Sequence, residues 1–285
     1  MAPRPRWIGG VRELADRYRG LVVDQWGVLH DGHTAYPGVR ACLEELARRD
    51  RPVVVLTNSG RRAAANLDKL ESCGLPRELF AGVVSSGEAT WRALDPAVWV
   101  HGSRCVLLHR GEDRTASRGR GLAFVADPEG ADFILLSGCD DDAELAQFEP
   151  VLRAAAARDL PLVCANPDVI GLAGTRLTLG PGAVTRRYEE LGGTVRYLGK
   201  PHPEVYRMAL ELLGDPPPAE VVAVGDSLEH DIAGGARAGL ATAFVTGGIH
   251  DTEAFAAEGR RDGALDDLAR RYGATPDWVL PRFVW

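Results

Sequence analysis

Short runs of β-branched and apolar residues alternate along the chain with amphipathic stretches. That order builds a parallel sheet covered by helices. Leu21-Val22-Val23 predicts a first buried strand. From about Gly38 to Arg49 the apolar positions Val39, Cys42, Leu43 and Leu46 recur at helical spacing and predict a helix with one buried face. Val53 to Leu56 predicts a second strand, and Ala63 to Cys73 a second helix closed by Gly74. Val83-Val84 reads as a third strand, followed by a helix through Trp91 and Leu94. Asp95-Pro96 then breaks the pattern, and a new set begins. Its strands are expected at 105–108, 122–125, 133–136 and 162–164, with a helix over 142–158. Strands at 195–198, 221–224 and 243–245, with helices near 204–213 and 230–238, resume the first set. The expectation is an α/β protein: a Rossmann-like parallel-sheet core over 1–94 and 195–285, and a smaller inserted α/β domain over 95–194.

Composition narrows the function classes. The chain has 285 residues, 45% of them hydrophobic and 26% charged, which fits a globular protein of one large or two medium domains. Lys and Arg number 33 against 40 Asp and Glu, a net charge of −7. That balance argues against a nucleic-acid binder, which needs a basic face. A small anionic substrate stays open, because one local cation can hold it. No apolar run reaches the roughly 20 residues of a membrane span, and no apolar stretch follows the charged N-terminus as a secretory signal requires. The five cysteines are scattered singly, which suggests free buried thiols and a reducing, cytoplasmic setting. Arg110 to Arg120 reads as a solvated loop.

Four segments stand just after predicted strands, where parallel α/β sheets place their ligands. Asp24, in Val23-Asp24-Gln25-Trp26-Gly27, is placed as a nucleophile or metal ligand, or simply caps the strand end. Thr57-Asn58-Ser59-Gly60 offers hydroxyl, amide and backbone N–H groups to phosphate oxygens, or caps the next helix. Lys200, between Gly199 and Pro201, is suited to neutralise a carboxylate and a phosphoryl oxygen together; an ordinary surface lysine is the alternative. Asp226 and Asp231 form an acidic pair of the kind that takes Mg²⁺, or they cap a helix start.

In this order the four segments resemble the motifs of the haloacid dehalogenase superfamily of aspartate-nucleophile phosphotransferases. The insertion, with Ala165-Asn166-Pro167-Asp168 in it, resembles the α/β (C2-type) cap of class IIA, whose members include nucleotide, pyridoxal-phosphate, phosphoglycolate and nitrophenyl-phosphate phosphatases. The resemblance implies a Mg²⁺-dependent phosphatase acting on a small phosphorylated metabolite. Asp24 would attack phosphorus and carry an aspartyl-phosphate. Mg²⁺ would be held by Asp24, the backbone carbonyl of Trp26 and Asp226, with Asp231 bracing it. Thr57, Asn58 and Ser59 would hold the phosphoryl group, and Lys200 would balance charge. Asn166, Asp168 and a cap loop over Gly171 to Gly182 would face the substrate. A homodimer through the cap is a further implication.

One position departs from the pattern. Family phosphatases carry a second aspartate two residues after the nucleophile, which protonates the leaving group; here it is Trp26. General acid–base help is worth about 10²–10⁴-fold. A non-catalytic phosphoester-binding protein, or one passing phosphoryl to an acceptor other than water, is therefore the alternative. His30, Asp31 and His202 are the nearest candidates to replace the missing acid. His101, His109 and His250 read as surface or packing residues, as do Trp91 and Trp99. Arg176 reads as solvated, and Asp140-Asp141-Asp142 as a helix cap.

Overall fold

The structure is a computed structural model that describes residues 4–173, 176–248 and 261–285. In chain order the strands are β1 (Arg6–Trp7), β2 (Gly20–Val23), β3 (Val53–Thr57), β4 (Gly82–Ser85), β5 (Arg104–Leu108), β6 (Ala123–Phe124) and β7 (Phe133–Leu136). They continue as β8 (Leu162–Cys164), β9 (Ile170–Ala173), β10 (Arg176–Leu179), β11 (Val195–Tyr197), β12 (Val221–Gly225), β13 (Ala241–Val245) and β14 (Trp278–Leu280). The α-helices are α1 (Arg12–Ala15), α2 (Val39–Arg48), α3 (Ala63–Ser72), α4 (Ser86–Ala93) and α5 (Leu145–Ala156). After them come α6 (Pro181–Glu190), α7 (Pro203–Leu212), α8 (Ala233–Arg237) and α9 (Arg261–Tyr272).

The chain divides into two compact units. One comprises Met1–Thr57, Leu67–Val84 and Lys200–Trp285; the other comprises Asn58–Asn66 and Ser85–Gly199. The first holds a seven-stranded sheet in the order β1-β14-β13-β12-β2-β3-β4, and the pairings from β1 through β3 are parallel. Strands β2, β3 and β12 are buried at every position, which is why they read as unbroken apolar runs instead of alternating ones. Helix α2 turns Val39, Cys42, Leu43 and Leu46 inward, the face its spacing predicted. The loop after β12 winds into a single π-helical turn, Leu228–Ile232, whose Leu228 and Ile232 pack with Phe244 and Val279.

The second unit holds a five-stranded parallel sheet, β11-β8-β7-β5-β6, and a separate antiparallel hairpin of β9 and β10. Its core includes Ile134, Leu136, Leu152, Leu162, Val184 and Tyr188. Each fully buried apolar side chain of this size contributes about 1.5–3 kcal/mol. Helix α5 starts on a capping box between Glu144 and Gln147. Both tryptophans read as packing residues lie here: Trp99 meets Phe133 at 4.8 Å, and Trp91 lies between the guanidinium groups of Arg62 and Arg120.

Several expectations change. The strand at 195–198 does not resume the first sheet: β11 pairs with β8, because Val195 lies opposite Leu162 and Tyr197 opposite Cys164. The inserted unit therefore runs on to Gly199, and it begins at Ser85 with α4 rather than at Asp95. The expected strand at 122–125 is only the two-residue β6, exposed at the edge of its sheet. The stretch 171–182, expected as a loop, supplies most of the β9–β10 hairpin and the start of α6, whose Pro181 suits a first helical turn. Asp140 and Asp141 do not cap α5. Asp140 accepts the Gly111 N–H at 2.7 Å, and Asp141 pairs with Arg110 at 2.5 Å, so both hold the loop after β5. Arg176 is exposed and donates to the Asp141 carbonyl at 3.0 Å. His250 lies outside the described residues. All five cysteines are free and buried. No helix of the described residues is long and apolar enough to cross a membrane.

Candidate active site

Strands β2 and β12 lie side by side with Val23 opposite Val224. Residues leaving their C-terminal ends therefore emerge together, although some two hundred positions separate them. The Asp24 backbone N–H donates to the Val224 carbonyl at 2.9 Å and fixes the loop after β2 to this edge. Asp226 follows β12 directly. The π-helical turn brings Asp231 back: its carboxylate accepts the Ser227 N–H at 3.0 Å, while the Ser227 hydroxyl caps the turn at the His230 N–H. One oxygen from each of Asp24, Asp226 and Asp231 lies within 4.8 Å of the others.

Lys200 enters from the loop before α7, with a cis peptide to Pro201. Its ammonium lies 2.6 Å from Asp24 Oδ1 and 2.7 Å from Asp231 Oδ1, with 4% of its side chain exposed. It is not a surface lysine. Thr57 ends β3 on the far side of β2 and is 3% exposed.

Burial pushes the Asp24 carboxyl up, to about 7, against the lowering pull of Lys200. Burial also disfavours the Lys200 ammonium, but Asp231 and Asp24 more than offset it and hold the group above the ordinary lysine range. Three carboxylates thus share one nearly water-free cluster with a single ammonium. Such a charge imbalance favours binding a divalent cation, and all-oxygen donors within 4.8 Å suit Mg²⁺, whose ligand distances of about 2.0–2.1 Å span some 4 Å across the ion. Glycines keep the cradle open. A Cβ on Gly27, whose φ is +78°, or on Gly248 would overlap the Asp226 carboxylate.

Trp26 turns its ring onto Gly32, where a Cβ would overlap the indole, and meets His30 edge-on at 4.9 Å. The ring stays 37% exposed. His30 is fully buried, and burial lowers it to about 4. Its Nδ1 accepts the Gly32 N–H at 2.9 Å, so the ring proton sits on Nε2, 3.1 Å from the side-chain amide of Gln25. Turning that amide to present Oε1 gives this otherwise partnerless buried oxygen its donor. Asp31 is exposed and accepts the His33 and Thr34 N–H groups at 2.8 Å, a turn-shaping role. His202 is the residue before Pro203 at the start of α7.

The remaining predicted residues belong to the second unit. The Asn58 side-chain amide donates to Asp168 at 2.8 Å, and Ser86 donates to the Asn58 oxygen at 3.3 Å. The Asp168 N–H donates to the Asn166 side chain at 3.0 Å. The Ser59 hydroxyl accepts the Arg61 N–H at 3.3 Å. Glu88 accepts the Ala63 N–H at the start of α3.

Two supporting residues have no sequence signature. Tyr206 is buried on α7, and its hydroxyl donates to the carbonyls of His230 at 2.8 Å and Asp231 at 3.2 Å, holding the π-helical turn. In sequence it is one more apolar-face position. Gly248 lies in an unremarkable Gly-Gly pair; only the fold sets it against Asp226.

Comparison with protein families gives two matches. The family model of haloacid dehalogenase-like hydrolases matches residues 21–123, and a second HAD-hydrolase-like family model matches 197–271. The chain belongs to the haloacid dehalogenase superfamily, in its class IIA of capped phosphatase-like hydrolases, and is an enzyme of the phosphomonoester hydrolase type. Among individual relatives, human chronophin is 28% identical over 268 residues, covering 88% of this chain and 90% of its own. The dihydroxyacetone phosphatase of Corynebacterium glutamicum is 28% identical over 240 residues, 81% of this chain and 82% of its own. In fold, a haloacid dehalogenase-like hydrolase from Brucella suis superposes with a TM-score of 0.83 at 24% identity, over 97% of this chain and 100% of its own. NagD from E. coli K-12 gives 0.69 at 23% identity, over 93% and 97%.

Proposed function

We propose that the chain is a Mg²⁺-dependent phosphatase that hydrolyses a small phosphorylated metabolite through an aspartyl-phosphate on Asp24. The observation that carries this reading is the cluster of Asp24, Asp226 and Asp231, with the Lys200 ammonium bridging Asp24 and Asp231. Asp24 is the nucleophile because it leads the loop at the strand edge, and the Gln25 N–H, 2.7 Å from Oδ1, orients its carboxylate. Lys200 balances the charge of Asp24 and of the phosphoryl group as it transfers. Thr57, with Asn58 and Ser59, holds phosphoryl oxygens. Asp24, Asp226 and the Trp26 carbonyl would ligate Mg²⁺, braced by Asp231; when bound, the ion offsets repulsion between the carboxylate and the anionic ester. Asn166 and Asp168 contact the substrate, the protein works in the cytoplasm, and two copies pair through the inserted unit.

The test is phosphate release from a panel of phosphorylated metabolites, with Mg²⁺ and with chelator. Turnover with Mg²⁺ alone is expected, and Asp24→Asn should lower it more than about 10³-fold while the far-ultraviolet spectrum stays unchanged. Folded protein that releases no phosphate from any member would refute the reading. Trp26 favours one alternative, a phosphoester-binding protein without turnover, which would show as stoichiometric ligand binding in the same assay.

A further inference from the structure

We infer that this site accepts phosphoesters whose leaving group departs without a proton, namely aryl, enol and acyl phosphates, and turns over simple alkyl phosphates slowly. The inference rests on the phosphatase reading above and narrows its substrate class.

Among the described residues, the side chains that could donate a proton from the Asp24 loop or from its bonded partners are engaged elsewhere or unsuited to the step. The Lys200 ammonium bridges Asp24 and Asp231 at 2.6 and 2.7 Å. Moving a proton from it would leave two carboxylates facing a neutral amine in a buried site. His30 is fully buried, with one ring nitrogen taken by Gly32 and the other by Gln25. It cannot reach a substrate without breaking both contacts. The Tyr206 hydroxyl donates to two backbone carbonyls of the π-helical turn. Asp31 is an exposed carboxylate that accepts two N–H groups. Trp26 offers an indole N–H, which does not ionise at working pH. The site is thus rich in negative charge and in held protons, and poor in transferable ones.

The chemistry follows. An Asp24 oxygen attacks phosphorus, the P–O ester bond breaks, and both of its electrons leave with the oxygen. With none of these groups giving up a proton, the leaving group departs as an anion, and a basic one then takes its proton from solvent water. Hydrolysis of the aspartyl-phosphate then returns Asp24, and the proton of the attacking water passes to solvent. The barrier to the first step rises with the basicity of the departing oxygen, so a phenolate, enolate or carboxylate leaves readily and an alkoxide does not.

The experiment uses the full chain with Mg²⁺ and a series of aryl phosphates of graded phenol basicity, extended to glycerol phosphate as the alkyl member. The expected result is a steep fall of kcat/KM along the series. In Trp26→Asp the aryl-to-alkyl ratio should contract by about 10²–10⁴-fold, the range a general acid supplies. Wild-type protein that turns over glycerol phosphate as fast as 4-nitrophenyl phosphate overturns the inference, whether or not Trp26→Asp folds. Absence of turnover on every member, aryl esters included, instead brings down the phosphatase reading itself.

Discussion

The two units each build a parallel sheet on an apolar core, yet they place their charges differently. In the first, Asp24, Lys200, Asp226 and Asp231 meet in a nearly water-free cluster at the strand ends. In the second, two of the ion pairs keep partial access to solvent: Arg104 with Asp132, and Arg187 with Glu149. A pair of pKa values sharpens the contrast. His30 is drawn down to about 4 by burial, and Glu149 to about 2 by its hydrogen bond to Arg187. Burial makes the first a stability term, whereas solvent screens the second. Charge kept at the expense of desolvation points to chemistry, and charge left in water points to solubility and local order.

The largest test of this contrast is Lys200→Met. It strands Asp24 and Asp231 without their ammonium and should cost about 3–5 kcal/mol in urea unfolding. A loss no larger than that of a surface substitution would erase the distinction. His30 comes next. Its folded value of about 4 lies below the ordinary 6.5, so between these pH values the unfolded chain binds more protons. Its contribution of about 3 kcal/mol is complete above pH 6.5 and fades as pH falls toward 4. His30→Gln should flatten the stability curve in that window. Gly27→Ala should cost about 1–3 kcal/mol and weaken Mg²⁺ binding measured by calorimetry. Gly74→Ala is its control, because Gly74 also has a left-handed φ, +86°, but a Cβ there would meet nothing within 4 Å. Equal losses would mean that contact with Asp226 adds nothing. Smallest of all, Glu149→Gln should leave the unfolding midpoint near its wild-type value at pH 7. Any contribution from this pair is present above pH 4.5 and lost as pH falls through about 2.

How much the sequence revealed depended on how far each signal was local. Strands β2, β3 and β12 are central and buried on both faces, so their apolar runs had no competing reading. The residues meeting at Lys200 were legible because each stands directly after such a strand or on the turn that follows. Strand β11 was misplaced because Val195 to Tyr197 carries no mark of which sheet it joins; pairing with β8 decides that. The β9–β10 hairpin was hidden because its residues, Gly171 and Thr178 among them, match a loop as well as a strand. From its place in the sequence, His30 is a candidate proton donor beside the Asp24 loop. Only the packing shows both of its nitrogens engaged, and no neighbour in sequence announces that.

The seat of Trp26 on Gly32 has an evolutionary corollary. While the indole occupies that space, a side chain at position 32 would have to push the ring aside, so the two sites are coupled. A lineage that placed an acid at 26 would lift the clash with the ring but leave the left-handed φ of +94° at 32, which still favours glycine. In the opposite direction, any bulk acquired at 32 would push the indole from its place, so one aromatic ring lying against bare backbone ties the two positions together.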